Sequence, residues 1–195
     1  LIAPRVFAFH KPRGVVCSTV AEGGATPVTD LLPPEFRGWF AVGRLDKESD
    51  GLLLFSDDPV FAQRLMDPGC VPKVYEVVVE GFPDDAALAP MRAGGVELDG
   101  RTLRPVEVTR TGKAPRGGTR FRVVLHEGVN REVRRLFRAA GHKVRRLRRI
   151  SVGPVELGEI KEGEGREISS SERERLQAAL AKGAAVARPK HRSTR

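Results

Sequence analysis

The chain has 195 residues, 40% of them hydrophobic, with 34 Lys and Arg against 25 Asp and Glu, a net charge of +9 and a pI near 10.2. This is enough apolar residue for one large domain or two small packed lobes, but it includes no run of about 18 apolar residues to span a membrane. The opening LIAPRVFAFHKPRG lacks the order of a secretory signal. Cys17 and Cys70 without Cys/His ligand spacing argue against a disulfide or zinc scaffold, and for reduced thiols in the cytoplasm.

In chain order, RVFAFHKP (5–12) and GVVCSTV (14–20) read as strands separated at Pro12-Arg13-Gly14. TPVTDLLPPEF is a short helix or turn stopped by Pro33-Pro34. FAVGRL and GLLLFS follow as strands flanking a loop. Asp58 and Pro59 have the form of an N-cap and first-turn proline, opening a helix through VFAQRLM. KVYEVVVEG (73–81) has the β-branched content of a strand. DDAALAPMRAG is a helix in which Pro90 forces an interruption or a late start. VELDGRTLRPVEVTR is hairpin-like at Asp99-Gly100, and the Gly-rich basic turn in RTGKAPRGGTR reads as a flexible loop.

FRVVLHEG (121–128) is a further strand. NREVRRLFRAAGH places Val133, Leu136, Phe137 and Ala140 at helical spacing behind Asn130 as a cap. KVRRLRRISVG is strand-like, SSSERERLQAALAKG is a capped amphipathic helix, and residues 183–195 form a basic, disordered tail. Strands with intervening helices predict an α+β fold on a mixed, mainly antiparallel central sheet flanked by helices, as two closely packed lobes within residues 1–182.

Charge is unevenly distributed. Residues 101–150 carry 16 Lys and Arg against three acids, a net of +13, which leaves −4 for the other 145 residues. Such asymmetry points to a phosphate-binding face. Against it stands VGRLDKESDGLLLFSDD (42–58), which holds Asp46 on a connection between two strands with Arg44 two residues before it. One carboxylate within an RNA-binding surface is the chemistry this combination suggests.

With HKPRGVVCST, GRLDKESDG, KVYEV, EGVNREVRRLF and RRISVG in this order, the chain resembles the RsuA/RluB-type ribosomal RNA pseudouridine synthase family from about Arg5 to about Ile168. The resemblance implies an enzyme that isomerises a specific uridine of ribosomal RNA, with no cofactor and no metal. By the same register Asp46 matches the essential aspartate, and Tyr75 the tyrosine against the target base. Arg134 matches the basic residue that pairs with the aspartate, and Arg44 the arginine that holds the flipped nucleotide's backbone.

Physical chemistry fits that division. The target must leave its stack to be reached. A carboxylate taken into a pocket is driven toward protonation unless a guanidinium lies within about 4–6 Å. Arg131, Arg135, Arg138, Lys143, Arg145 and Arg146 are expected to contact RNA. Val129 stands where related sequences carry Arg or Lys, which puts one RNA contact in doubt. Such enzymes often have a small RNA-binding domain upstream, and the sequence starts without Met almost directly on the catalytic region, so a preceding segment is expected. The expected partner is ribosomal RNA, preferably of the large subunit, or a pre-ribosomal particle, bound by a monomer. Two other classes fit part of the pattern: a non-catalytic RNA-binding or ribosome-assembly protein, and a nucleoside hydrolase or glycosylase that would release free uracil.

Overall fold

The computed structural model describes residues 3–103, 105–126, 128 and 131–187, the last four as backbone alone. The elements are β1 (Val6–Lys11), α1 (Val28–Leu31), a 3-10 turn (Pro34–Phe36), β2 (Phe40–Val42), β3 (Asp50–Ser56), α2 (Pro59–Met66), β4 (Lys73–Glu80) and α3 (Asp85–Ala93). They continue with β5 (Glu97–Leu98), β6 (Arg101–Thr102), β7 (Glu107–Ala114), β8 (Gly118–Leu125), α4 (Glu132–Ala139), β9 (Val144–Val152), β10 (Val155–Glu156), β11 (Gly165–Glu167) and α5 (Ser170–Ala187). A nine-stranded sheet runs β11-β1-β3-β9-β4-β8-β7, with β2 added to β3 and β10 to β9. Only the β3–β9 pairing is parallel among the described strands. The fold is α+β with a mixed, mainly antiparallel sheet, and the two expected lobes share that single sheet.

Side-chain alternation gives the sheet two faces. On one, Phe7, Phe9, Leu53 and Phe55 pack with Val28 of α1 and Phe36, while Val77, Phe121 and Leu147 pack under Leu88 and Met91 of α3 and Leu136 and Phe137 of α4. Tyr75 touches both of these clusters and lies where they meet. On the opposite face α2 and α5 cover β1 and β3 through Phe61, Leu65, Leu176 and Leu180. Burying one such Leu or Phe is worth about 1.5–3 kcal/mol, so each cluster fixes its helices to the sheet.

Several elements follow directly from local chemistry. Asp58 caps α2, accepting from the amides of Val60 and Phe61, with Pro59 in the first turn. Asp84 caps α3 through Ala87. Gly51 has φ +115° and lies so close to β9 that a Cβ would collide with the Arg149 carbonyl oxygen, so only glycine admits the parallel pairing there.

Four expectations are corrected. The segment 14–20 is not a strand; its one ladder contact is a bridge from Val16 to Pro27, and Val15 and Val16 are buried as packing residues. RTGKAPRGGTR is a hairpin, in which β7 and β8 pair up to Ala114–Gly118 around a tight turn. Pro90 neither interrupts nor delays α3. Buried Leu88 and Met91 hold that helix, as does the Arg92 link to the Val108 carbonyl, and together they outweigh one missing amide. α4 starts on Arg131 in the left-handed region (φ 53°) with no side-chain cap bond. Asn130, the expected cap, and Val129 lie outside the described residues. α5 runs to Ala187, past the expected end at 182, and the last eight residues of the tail lie outside the description as well.

Candidate active site

The connection from β2 to β3, residues 43–49, carries Asp46 over the sheet face that bears Tyr75, and its backbone is pinned along its length. The Arg149 guanidinium donates to the carbonyl of Arg44 at 3.5 Å and to that of Leu52 at 2.8 Å. The Leu45 amide donates to Cys17 Sγ. Gly14 N–H donates to the Lys47 carbonyl at 2.7 Å, and Arg13 Nε to that of Glu48. Lys11, fully buried, donates to the carbonyls of Ser49 and Pro12, both at 2.8 Å. The Ser49 amide returns to the Asp46 carbonyl. A loop held at this many points presents its carboxylate in one place, which is the condition for preorganised catalysis.

Two arginines of α4 and its N-terminus meet that carboxylate. Arg134 Nε lies 3.5 Å and Arg131 Nη1 3.4 Å from Asp46 Oδ2. Arg134 is also fixed by Ser49 Oγ at 3.1 Å and by the Val144 carbonyl, and burial lowers its pKa from the ordinary arginine value. Glu48 shares both cations, at 3.2 Å from Arg131 and 3.9 Å from Arg134. The hydrogen bond from Arg131, then the charges of Arg131 and Arg134, hold its carboxyl below the usual range.

A cavity of about 650 Å³ opens beside Asp46. Leu45, Leu125, Val133 and Leu147 supply apolar walls, Tyr75 stands among them, and Lys73, Arg131 and Arg149 add positive charge. Its size and mixed lining suit a flat polar ring. A second groove of about 710 Å³, between Phe82–Asp85 and β7, contains none of the expected site residues.

The remaining expected RNA contacts separate. Arg44 is exposed at the cavity rim, while Arg138 and Lys143 are exposed without a carboxylate partner among the described residues. Arg135 is engaged by Asp99 through two hydrogen bonds, at 2.6 and 2.9 Å. Arg145 donates to the carbonyls of Pro115 and Arg116 at the β7–β8 turn. Arg146 points to the opposite face of the sheet: Tyr75 pairs with Arg149, whereas Val78 pairs with Arg146 and Glu76 with Arg148. There Arg146 and Arg148 both bind Asp50, which is fully buried, and Arg148 also reaches Glu162. Burial pushes the Asp50 carboxyl up, but the hydrogen bonds from Arg146 and Arg148 outweigh it and hold it below the usual range. His10, Asp50 and Glu162 bring ligand-type atoms within 4.8 Å of one another. A metal ion there would face the two guanidiniums already on Asp50, so the set is a poor cation site.

Sequence reasoning missed Lys11, Lys73, Arg149 and Ser49. All four lie within the stretches that carry the resemblance, HKPRGVVCST, KVYEV, RRISVG and GRLDKESDG, and that membership was the signal that could have found them.

The segment 5–139 matches the family model described as RNA pseudouridylate synthase. The chain belongs to that family. It is 32% identical over 176 residues to ribosomal large subunit pseudouridine synthase B of Bacillus subtilis, a match covering 90% of this chain and 72% of the relative. It is 41% identical to the protein of the same name from Vibrio vulnificus, over 78% of this chain but 48% of that one. Against longer relatives, then, it spans about half their length. A crystal structure of a pseudouridylate synthase superposes with a TM-score of 0.77 at 27% identity, covering 90% of this chain and 75% of the other.

Proposed function

We propose that this protein converts a specific uridine of ribosomal RNA, in the large subunit, to pseudouridine, with Asp46 as the essential carboxylate. The single observation that carries the reading is Asp46 held on a pinned loop against Arg134 and Arg131, at the mouth of a cavity walled by Tyr75 with ample room for a flipped nucleotide. A protein that only bound RNA would have no use for a carboxylate at the centre of its basic surface. The target nucleotide swings out of its stack into the cavity, where Tyr75 and the apolar walls take its ring. The Asp46 carboxylate then acts on the sugar or the pyrimidine, and the glycosidic bond breaks. The detached uracil turns within the pocket and rejoins through C5.

The RNA lies across the rim through Arg44, Arg131, Arg138 and Lys143, which supply phosphate contacts and register. Arg135 and Arg146, each engaged by a carboxylate, contribute less. The free thiols of Cys17 and Cys70 fit a cytoplasmic setting, where the protein acts as a monomer on ribosomal RNA or a pre-ribosomal particle. The experiment is nucleoside analysis of ribosomal RNA and precursor particles after incubation with the protein. Pseudouridine at one position with no free uracil is the expected result. Free uracil would identify a hydrolase, and tight binding with unchanged nucleosides a binding protein.

A further inference from the structure

Lys73 and Arg149 both line the catalytic cavity, and both are buried, at 8% and 4% exposure. Neither has a carboxylate within ion-pair distance among the described residues. Lys73 Nζ has one long hydrogen bond, 3.4 Å to the Leu65 carbonyl. Arg149 uses Nε and Nη1 on the carbonyls of Leu52 and Arg44, while its Nη2 is buried without a partner among the described residues. Two adjacent buried cations without counter-charge are destabilising. Of the carboxylates around them, Asp46 is already held by Arg131 and Arg134, Glu132 forms no ion pair with either cation, and Asp67 acts on Lys73 only from beyond ion-pair distance.

The isomerisation proposed above, on which this inference rests, generates the missing charge. When the N1–C1′ bond breaks, its electron pair leaves with N1, so the detached uracil is an anion with charge shared among N1, O2 and O4, and the electron deficiency stays at C1′. Bonding then forms between C5 and C1′, the C5 hydrogen departs as a proton, and N1 takes one up. We propose that Lys73 and Arg149 are catalytic donors to the carbonyl oxygens of the detached uracil and stabilise its negative charge until C5 bonds. Donors of this kind act strongly in a pocket from which water is excluded. They also select the base: a pair of donors with no acceptor matches the two carbonyls of uracil and leaves the exocyclic amine of cytosine facing a cation.

Only protonated Lys73 can serve. Burial, with the Arg149 charge beside it, pulls its pKa down to about 8. The groups that face it are Arg149 from β9, Cys70 and Asp67 from the segment after α2, and Asp46, Tyr75, Arg131 and Glu132 around the cavity.

The test is single-turnover release of tritium from C5-labelled ribosomal RNA, from about pH 6.5 to about pH 9.5, with RNA affinity measured at each pH. The proteins are the wild type, Lys73→Gln and Lys73→Arg, each checked for folding by circular dichroism. The wild-type rate should fall as pH rises through about 8. Lys73→Gln should be about 10²-fold slower near neutral pH, without the alkaline fall and with affinity within about 3-fold. Lys73→Arg, permanently charged, should recover most of the rate and keep it beyond pH 9. Wild-type rate and pH profile in Lys73→Gln would overturn the inference alone, as would an alkaline fall near pH 8 retained in Lys73→Arg. A wild type that binds the RNA but releases no tritium would overturn the isomerase reading, and the inference with it.

Discussion

β9 sends arginines to both faces of the sheet, and the two faces treat them oppositely. On the face covered by α2 and α5, Arg146 and Arg148 converge on the buried Asp50, with Glu162 beside them. On the catalytic face Arg149, two strands from Lys11 and one from Lys73, has carbonyl partners and no carboxylate among the described residues. The first arrangement balances its charges within the fold. The second leaves positive charge around a cavity, the pattern expected where a ligand brings the negative charge. The difference teaches that basicity along a strand does not by itself mark an RNA surface. What marks the site is charge that the fold leaves uncompensated.

Substitutions on the two faces should therefore separate activity from stability. The largest effect after loss of Asp46 itself is expected for Arg134→Gln, which removes the buried partner of Asp46 and should slow tritium release by about 10²–10³-fold, with RNA affinity little changed. If catalysis survived that change within a few-fold, the Asp46–Arg134 pairing would be structural. Asp50→Asn should instead leave the chemistry near normal and lower unfolding stability by about 2 kcal/mol in urea, less than a fully buried pair because Arg146 and Arg148 remain partly exposed. Since the Asp50 carboxyl is held below its ordinary pKa, its contribution is present above about pH 4 and is lost as pH falls further; the variant should lack that acid component.

Lys73→Met should do the reverse, stabilising the fold by about 1–3 kcal/mol while impairing catalysis. With Lys73 lowered to about 8 in the fold, the unfolded chain holds more protons between there and about pH 10.5, so wild-type stability should rise with pH across that window and the variant's should not. A destabilised Lys73→Met would mean that the ammonium is a structural tie to Leu65. The smallest effect concerns affinity. Arg138→Ala should reduce the slope of log affinity against log salt by about one, and Arg146→Ala should leave it unchanged. Equal slopes in both would erase the distinction between the faces.

Much of the architecture was legible because it rests on local chemistry. Asp58-Pro59 announced α2, the β-branched run 73–81 announced β4, and VGRLDKESDGLLLF announced a loop between paired strands with Asp46 at its centre. What failed was tertiary. Residues 14–20 have strand composition, but Val15 packs with Val28 and Phe36, and Val16 makes only an isolated bridge to Pro27, with no ladder to join. The glycines of RTGKAPRGGTR suggested a loop, whereas they admit a bulge at Gly112 and a tight turn at Gly117 within a hairpin. For the proposed site, Asp46 and Arg134 were picked out by the register of their motifs, and the fold brings them within 3.5 Å. The partition of VRRLRRI was not, because strand alternation and the irregularities in the β4–β9 pairing decide which arginine faces the cavity, and the partner strands are distant in sequence. Lys11 and Arg149 read as ordinary basic residues until the loop they hold could be seen.

The most direct measurement compares tritium release from C5-labelled ribosomal RNA by the wild type and by Asp46→Asn, with binding to the same RNA followed in parallel. The account predicts release by the wild type alone, no free uracil from either, and affinities within about 3-fold, because phosphate contacts dominate binding. Equal release by Asp46→Asn would contradict it.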